Sequence, residues 1–271
     1  MNSQGDLAEA VDSVPFWYHT IDLAPGIVTP GHFDLRPIID QLPWPNVRGK
    51  RCLDVGTWDG FLAFELERRG AGEVVAIDIP DHEQWDWPPR IRKKGLDYLN
   101  TVAGPRRGRG FEVARAALRS SVRLEELSVY DLTPERLGHF DVVVCGSLLL
   151  HLRDPLRALA AIRSVCDGHF LSSNQVDLLR SIGRRKRPLL RLDGTSDLCQ
   201  WFLPNAAGHR RLLEAAGFEI ERESGVYAEP FGVGHPPPAG RSARRVMVAL
   251  ARRLLAGGSG VPHHAALSKA G

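Results

Sequence analysis

Short apolar runs alternate with amphipathic segments along most of the chain, and this alternation predicts parallel strands connected by helices. Five runs have the character of buried strands, and they lie at Arg51–Val55, Glu73–Asp78, Val122–Leu127, Phe140–Cys145 and Gly168–Ser172. Between them apolar residues recur at helical spacing, over Phe61–Arg69, Phe111–Leu118 and Pro155–Val165, with Asp154 as the cap of the last. The pattern therefore predicts an α/β fold with five parallel strands.

The C-terminal third of the chain supplies two more strands. After a helix predicted over Pro204–Ala216, Phe218–Glu223 alternates apolar and polar residues with period two, as a half-exposed strand does. The run Arg245–Arg252 suits a helix or a strand, but its β-branched start and the turn-rich Phe231–Gly240 before it favour a closing antiparallel strand. We therefore predict a doubly wound, seven-stranded, mostly parallel sheet whose last strand is antiparallel.

Length and composition fit one domain of this kind with short appendages. A chain of 271 residues, 43% of them hydrophobic, can bury one substantial core. We expect an N-terminal segment over residues 1–45 that could act as a lid, and a main domain over 46–255 with a substrate-covering insertion around 176–203. The tail over 256–271, rich in Gly, Ala and His, is predicted to be disordered.

Charge and cysteine content narrow the function only slightly. The formal net charge is +3, and its basic excess is local, which does not by itself indicate a nucleic-acid partner; it lies in Arg106–Arg109, Arg184–Arg187 and Arg241–Arg253. The four cysteines include no C-x-x-C pair, so neither a zinc site nor a disulfide framework is indicated. Without a signal-peptide pattern or an apolar run of membrane-spanning length, a cytoplasmic protein with no membrane partner is expected.

A glycine turn (Leu53–Gly60) follows the first predicted strand. Glycine has no Cβ and tolerates positive φ, so Gly56 and Gly60 allow a ligand to approach the backbone closely. Asp78 lies 22 residues after Gly56, at the tip of the next strand, where its carboxylate could accept both ribose hydroxyls of a nucleotide. This spacing alone is compatible with NAD and with S-adenosylmethionine.

Two residues of the glycine turn favour S-adenosylmethionine. Trp58 stands where a pyrophosphate-binding turn has its middle glycine, and a side chain of that size would obstruct a pyrophosphate. The carboxylate of Asp54, at the strand end, could face the cationic amino-acid part of S-adenosylmethionine or order the loop. The structural alternative is that Asp54 only caps the turn and Trp58 only packs on the sheet.

With these residues the sequence resembles the class I methyltransferases, and more narrowly the group related to the tRNA wobble-uridine alkyltransferase that uses carboxy-S-adenosylmethionine. The similarity extends over roughly Val14–Glu223, and its matching stretches are Phe16–Leu23, Leu53–Gly60, Asp141–Leu156 and Trp201–Asn205. The resemblance implies a Rossmann-like methyltransferase fold with S-adenosylmethionine as the cofactor.

The resemblance also implies which residues hold that cofactor. Asp54, Gly56 and Gly60 would line its methionine part, Asp78 its ribose, and Asp131, after the third strand, its adenine amino group. Five further residues complete the predicted cofactor site: Thr57, Trp58, Ile79, Tyr130 and Gly146.

Residues near the strand ends are candidates for catalysis and substrate binding. His151 follows the fourth strand, where open α/β sheets place substrates, and its neutral imidazole could take a proton from a hydroxyl or amine. Alternatively it bonds a neighbouring backbone group and packs beneath the cofactor. Substrate binding is predicted at Trp17, Tyr18, His19 and Trp201. The alternative for the first three is a hydrophobic anchor.

These observations predict a methyltransferase that uses S-adenosylmethionine to methylate a hydroxyl or amine of a small molecule, such as a sugar or secondary metabolite. Two alternatives stay open. One is methyl or carboxymethyl transfer to the wobble uridine of tRNA, with the basic runs as phosphate contacts. The other is a non-methylating protein that retains the cofactor. A homodimer is compatible with each of them.

Overall fold

The computed structural model describes residues 4–103, 108–194, 199–236 and 252–271. Its strands are β1 Asp22–Ala24, β2 Ile27–Val28, β3 Arg51–Val55, β4 Glu73–Asp78, β5 Arg123–Glu126, β6 Phe140–Gly146, β7 Cys166–Gln175, β8 Leu190–Leu192, β9 Phe202–Pro204, β10 Phe218–Glu223, β11 Tyr227–Glu229 and β12 Val261–Ala270. Its helices are α1 Gln4–Asp12, α2 Phe61–Arg68, α3 Pro89–Arg92, α4 Leu96–Ala103, α5 Arg109–Leu118, α6 Pro134–Leu137, α7 Pro155–Val165, α8 Leu178–Gly183 and α9 Ala206–Ala215. Four 3₁₀ turns lie at Ile39–Gln41, His82–Gln84, Val129–Asp131 and Leu149–His151.

The main sheet has the strand order β10-β12-β7-β6-β3-β4-β5, and β11 pairs with β12 outside this path. Strands β3 to β7 run parallel, whereas β12 lies antiparallel between β7 and β10. From β3 the chain proceeds to one side through β4 and β5 and then returns to the other side through β6 and β7. The carboxyl ends of β3 and β6 thus lie side by side where the strand order reverses, a place where open α/β sheets bind ligands. The predicted fold class is confirmed.

Alternating side chains of the central strands enter two cores on opposite faces of the sheet. Cys52 belongs to one core and Leu53 to the other, because successive side chains of a strand point to opposite faces. Helices α2 and α5 cover the first face with Phe64 and Phe111, and α7 covers the second with Ile162. Both faces of the parallel strands are therefore buried, which explains their nearly continuous apolar sequence.

Helix ends follow local sequence signals. Helix α7 spans the predicted residues, and Asp154 caps it by accepting the backbone N–H of Arg157 at 3.0 Å. Helix α9 begins two residues later than predicted, because Pro204 ends β9 and Asn205 caps the helix by accepting the N–H of Gly208 at 2.8 Å.

The C-terminal tail is a strand in the interior of the sheet, so the prediction of a disordered segment over 256–271 is wrong. Strand β12 pairs with β7 from His263 to Lys269 and with β10 from Ala266 to Ala270. Its small residues Ala265 and Ala266 are fully buried. The tail has no strong hydrophobic pattern of its own, and two neighbouring strands supply the backbone hydrogen bonds that order it. The closing strand predicted over Arg245–Arg252 lies outside the described residues, except that residue 252 begins a short helix over 252–256.

The predicted appendages are folded where the structure describes them. The N-terminal segment contributes α1 and the β1–β2 ribbon, and Trp17, Ile21 and Phe33 join the larger core. The insertion around 176–203 contributes α8 and β8, which pairs with β9. Of the basic runs, Arg184–Arg187 is exposed, whereas residues 106–107 and 241–251 lie outside the described residues. Within the described ranges, no helix combines the length and apolar character that crossing a membrane requires.

Candidate active site

The glycine turn joins β3 to α2 and lies beside the end of β4. Gly56 and Gly60 have φ of 78° and 93°, and Trp58 between them has φ of 54°, an uncommon conformation for a residue with a side chain. The N–H of Gly56 donates to the carbonyl of Ile77 at 2.9 Å, and the N–H of Trp58 donates to the carboxylate of Asp78 at 2.6 Å. These bonds hold the turn against the tip of β4.

Asp78 lies at the end of β4, the position predicted for a ribose ligand. One of its oxygens accepts the N–H of Trp58 and the other accepts the N–H of Ile79 at 2.7 Å. A carboxylate has about four lone-pair sites. The two backbone bonds therefore orient Asp78 and are compatible with further bonds to hydroxyl groups.

Asp54 is a buried acid at the start of the glycine turn. It is 1% exposed, and its carboxylate oxygens make no hydrogen bond of ordinary geometry with the described residues, so the nearby hydroxyl of Thr57 and N–H of Ala63 offset its burial only in part. Burial raises the pKa of Asp54 to about 7. An unpaired buried carboxylate is unfavourable, and a cationic ligand would relieve that cost. The turn thus fits the cationic methionine part of S-adenosylmethionine.

The predicted adenine residues follow β5. The hydroxyl of Tyr130 donates to the carboxylate of Asp86 and accepts the N–H of Asp154 at 3.1 Å, and burial raises its pKa. Tyr130 therefore ties the loop after β4 to the start of α7. Asp131 is exposed at the end of its 3₁₀ turn, and its role towards adenine stays a prediction.

Aromatic rings surround the side chain of Trp58. Its ring centroid lies 4.9 Å from that of Tyr18, 5.8 Å from that of Phe16 and 6.0 Å from that of Trp85. The indole N–H of Trp85 donates to the carbonyl of Ile79 at 3.0 Å. An aromatic wall therefore runs from the N-terminal segment, across the glycine turn, to the loop after β4.

A cavity opens beside the glycine turn, at the carboxyl ends of β6 and β7. The N-terminal segment contributes Tyr18 and His19 to its wall, the strand ends contribute Ser147 and Ser173, and β11 contributes Glu229. The predicted residue Gly146 also lines it, and the rest of the wall is largely apolar. The cavity therefore presents a few polar groups in an apolar surround, the composition of a small-molecule site, and with a volume of about 20 Å³ it has room for one water molecule, so an acceptor has to displace part of the wall.

His19 and Asp59 form a buried pair between the N-terminal segment and the glycine turn. The Nδ1–H of His19 donates to one oxygen of Asp59, and the other oxygen accepts the backbone N–H groups of Tyr18 and His19, each at 2.8 Å. Asp59 is 1% exposed. The imidazole packs on Phe61, with 5.3 Å between ring centroids. Asp59 therefore fixes both the backbone and the ring of His19.

Glu229 belongs to a second buried polar cluster. In the strand order this cluster lies on the β12 side of β6 and β7, whereas the glycine turn lies on the β3 side. Nδ1 of His263 donates to the carbonyl of Val261 at 2.9 Å, so in the neutral ring Nε2 accepts the hydroxyl of Ser147 at 2.7 Å. A carboxylate oxygen of Glu229 lies 3.4 Å from the same Nε2. Ser147 itself has φ of 54°, and its N–H donates to the carbonyl of Ser173 at 2.8 Å. Polar side chains from the residue after β6 and from β11 and β12 thus meet at one wall.

The predicted substrate residues divide into two groups. Tyr18 and His19 line the cavity. Trp17 is 2% exposed, and its indole N–H donates to the carbonyl of Val11 at 3.1 Å. It therefore has the position of a hydrophobic anchor, which was the alternative to substrate binding. Trp201 also lies outside the cavity wall; its indole N–H donates to the carbonyl of Asp86.

The predicted base His151 is half-buried on its 3₁₀ turn and is not part of the cavity wall. Its Nδ1 donates to the backbone carbonyl of Cys199. This bond ties the segment after β6 to the insertion, as expected for the packing alternative.

Sequence reasoning assigned no role to three residues of the cavity wall, Ser147, Ser173 and Glu229, nor to Asp59 and His263, which are bonded to wall residues. Asp59 lies within the glycine turn, and its place directly before Gly60 was a signal that could have been used. Glu229 and His263 come from β11 and β12, in segments with few apolar residues. Only the pairing of β12 with β7 and β11 brings them to the cavity.

The reversal of the strand order thus holds, side by side, a turn that lets a ligand approach, an unpaired buried acid and a strand-tip acid. Together with the doubly wound sheet, these define a class I methyltransferase, an enzyme that uses S-adenosylmethionine. The chain belongs to the family described as methyltransferase domain, whose sequence model matches residues 32–223.

Two named relatives agree with this class, and one solved structure has the same fold. A ubiquinone biosynthesis O-methyltransferase of Acinetobacter baumannii (strain ACICU) is 24% identical over 215 residues, covering 73% of this chain and 80% of the relative. The one of Neisseria meningitidis serogroup C (strain 053442) is 28% identical over 191 residues, covering 67% and 68%. The N-terminal domain of EvdMO1, solved with S-adenosylhomocysteine and D-fucose, superposes with a TM-score of 0.51 at 16% identity, covering 99% of this chain and 97% of that one.

Proposed function

We propose that this enzyme transfers the methyl group of S-adenosylmethionine to a hydroxyl or amine of a small molecule, such as a sugar or secondary metabolite. One observation carries the proposal: the cavity beside the glycine turn has an apolar wall with a buried carboxylate, that of Glu229, and the hydroxyl of Ser147. Such groups hold an acceptor that itself carries hydrogen-bond donors.

The chain's own residues would act mainly by positioning. S-adenosylmethionine supplies an electrophilic methyl group, so the protein has to hold a nucleophile in line with it and exclude water. Asp54 would hold the cationic methionine part and Asp78 the ribose. The aromatic wall of Tyr18 and Trp58 would close the site from the N-terminal side. Positioning of this kind can contribute about 7 to 11 kcal/mol to the barrier reduction.

The names of similar proteins suggest which acceptors to test. The curated relatives are named as O-methyltransferases of ubiquinone biosynthesis, and the EvdMO1 domain was solved with D-fucose. Both names point to hydroxyl groups, on a ring of the quinone type and on a sugar. Amines belong in the same panel, because Glu229 accepts hydrogen bonds from N–H and O–H groups alike.

A panel assay with radiolabelled S-adenosylmethionine tests the proposal. Sugars, phenols and quinols, and amines are offered in parallel with unfractionated tRNA, and label transfer is measured for each. We expect turnover on a hydroxyl or amine compound and a Glu229→Gln variant with kcat/KM lowered by about 10-fold or more. The matched control is Glu221→Gln, an exposed glutamate of β10. Label transfer to tRNA without turnover on any small compound would contradict the proposal and favour the exposed run Arg184–Arg187 as a phosphate contact.

A further inference from the structure

The His19–Asp59 pair occupies a special position between the cavity and the glycine turn. Asp59 precedes Gly60 in the turn, and within the described part of the chain its carboxylate accepts three hydrogen bonds, all from Tyr18 and His19. His19 is one of the residues that line the cavity. It is therefore bonded to the loop expected to hold the cofactor and borders the space expected to hold the acceptor.

The hydrogen bond to Asp59 also fixes the tautomer of His19. A carboxylate on Nδ1 keeps the proton on that nitrogen, so in the neutral ring Nε2 carries a lone pair. Among the described residues, Nε2 of His19 has no hydrogen-bond partner. The ring is held on its other side by Phe61. The pair thus has the geometry of an oriented general base.

Other histidines near the cavity do not share this arrangement. Nδ1 of His151 is bonded to the Cys199 carbonyl, outside the cavity wall. Both nitrogens of His263 have partners, Val261 on one side and Ser147 with Glu229 on the other. Of the histidines that the structure describes, His19 is the one on the cavity wall.

We propose that Nε2 of His19 takes the proton that the acceptor releases during methyl transfer, with Asp59 as its positioning residue; this rests on the proposed function of the cavity. The acceptor oxygen or nitrogen forms a bond to the methyl carbon, and the carbon–sulfur bond breaks with its electron pair remaining on sulfur. The acceptor's proton moves to Nε2. The products are the methylated acceptor, neutral S-adenosylhomocysteine and the imidazolium form of His19.

The charges around His19 suit this role. Burial lowers the pKa of His19, but three carboxylates outweigh burial and hold it above its ordinary value: Asp59, Glu229 and Asp54. A positive charge brought close to the ring lowers that pKa, and loss of the charge raises it again. The ring is thus driven towards the neutral, proton-accepting form while the sulfonium is present, and it keeps the proton once the sulfur is neutral.

A titration that needs no acceptor tests this placement. The ring signals of the full chain are followed by NMR between pH 5 and 9 in complex with S-adenosylmethionine and, separately, with S-adenosylhomocysteine, and a His19→Gln variant assigns the signal. We expect the pKa of His19 to be lower by about one unit with the charged cofactor. The ring signals of exposed His139, paired with Asp167, serve as the control and do not respond to the exchange. Equal values of the His19 pKa in the two complexes overturn the proposal.

Kinetics with an acceptor from the panel then test the proton transfer. His19→Gln should lower kcat/KM by about 10²- to 10⁴-fold, with affinity for S-adenosylmethionine within about 2-fold by calorimetry. Asp59→Asn should shift the acidic limb of the pH profile to lower pH, because the ring loses the neighbouring negative charge. His139→Gln should behave as the wild type. An unchanged pH profile in His19→Gln, or a parallel loss of cofactor affinity, overturns the proposal, whereas failure of the panel concerns only the acceptor class.

Discussion

Replacement of Asp54 by Asn should stabilise the protein in the absence of cofactor, and more so at high pH. The carboxyl group is fully buried, and its oxygens make no hydrogen bond of ordinary geometry with the described residues, although Thr57 and Ala63 offset part of the burial cost. Burial raises its pKa from 3.8 to about 7. The pKa of Asp54 is higher in the folded than in the unfolded state. As far as this group is concerned, the free energy of unfolding is therefore greatest below about pH 4 and falls as the pH rises towards 7, where the buried carboxyl ionises.

The magnitude follows from that difference in pKa. At about 1.36 kcal/mol per unit, the raised pKa lowers the stability of the folded state by about 4 kcal/mol at pH 8, where Asp54 is ionised in both states, and by about 1.5 to 2 kcal/mol at pH 5, where it is protonated only in the folded state. An amide at this place carries its own burial cost, which does not depend on pH. The advantage of Asp54→Asn over the wild type should therefore grow by about 2 to 3 kcal/mol between pH 5 and pH 8.

Urea unfolding of the cofactor-free protein at the two pH values measures this difference. Asp12→Asn, a change at the exposed end of α1, is the matched control and should stay within about 0.5 kcal/mol of the wild type at both. Calorimetry should show the converse for function, with weaker binding of S-adenosylmethionine to Asp54→Asn. A difference between variant and wild type that is the same at pH 5 and pH 8 would refute the reasoning.

Three further changes test the site and the fold. Asp78→Ala should weaken binding of S-adenosylmethionine by about 10-fold or more, because the ribose hydroxyls lose a charged acceptor; unchanged affinity in calorimetry contradicts this role. Deletion of residues 260–271 removes β12 from the sheet interior and should abolish cooperative thermal unfolding, whereas a retained sharp transition contradicts it. Gly60→Ala should lower the free energy of unfolding by about 2 kcal/mol or more, since φ is 93° and the new Cβ would lie 2.4 Å from the Phe64 ring. Gly49→Ala is its control: φ is 69° but the space around it is open, so the free energy of unfolding should fall by only about 1 kcal/mol.

The central part of the fold could be predicted because its signals are local. A parallel strand buried on both faces needs a continuous apolar run, and β3, β4 and β6 have one. The pair Asp154 and Pro155 was enough to predict where α7 begins. Strand β12 lacks such a signal, because Ala265 and Ala266 are small and the histidines before them are polar. Its conformation depends on pairing with β7 and β10, which are distant in sequence, and no local pattern carries that information.

The candidate site shows the same division. The glycine turn and Asp78 are encoded within one strand–helix–strand unit, where spacing is informative, and the structure brings them together. The cavity wall brings together Tyr18, Ser147 and Glu229, and the first and last of these are more than a hundred residues apart in sequence. A sequence pattern finds aromatic residues before the first strand, but it does not separate Trp17, which anchors the segment, from Tyr18 beside it.

The buried acids suggest how one small region could serve both the proposed cofactor binding and the proposed proton transfer. Asp54, Asp59 and Glu229 all act electrostatically on His19, so the region around the ring carries a surplus of negative charge within an apolar surround. In the free enzyme this surplus costs stability, as Asp54 illustrates, and a cation is the ligand that relieves it. Methyl transfer abolishes the positive charge of the cofactor and leaves a proton to be placed. Once the sulfur is neutral, the same carboxylates would stabilise the imidazolium form of His19, because this ring can carry the positive charge that the sulfur has lost.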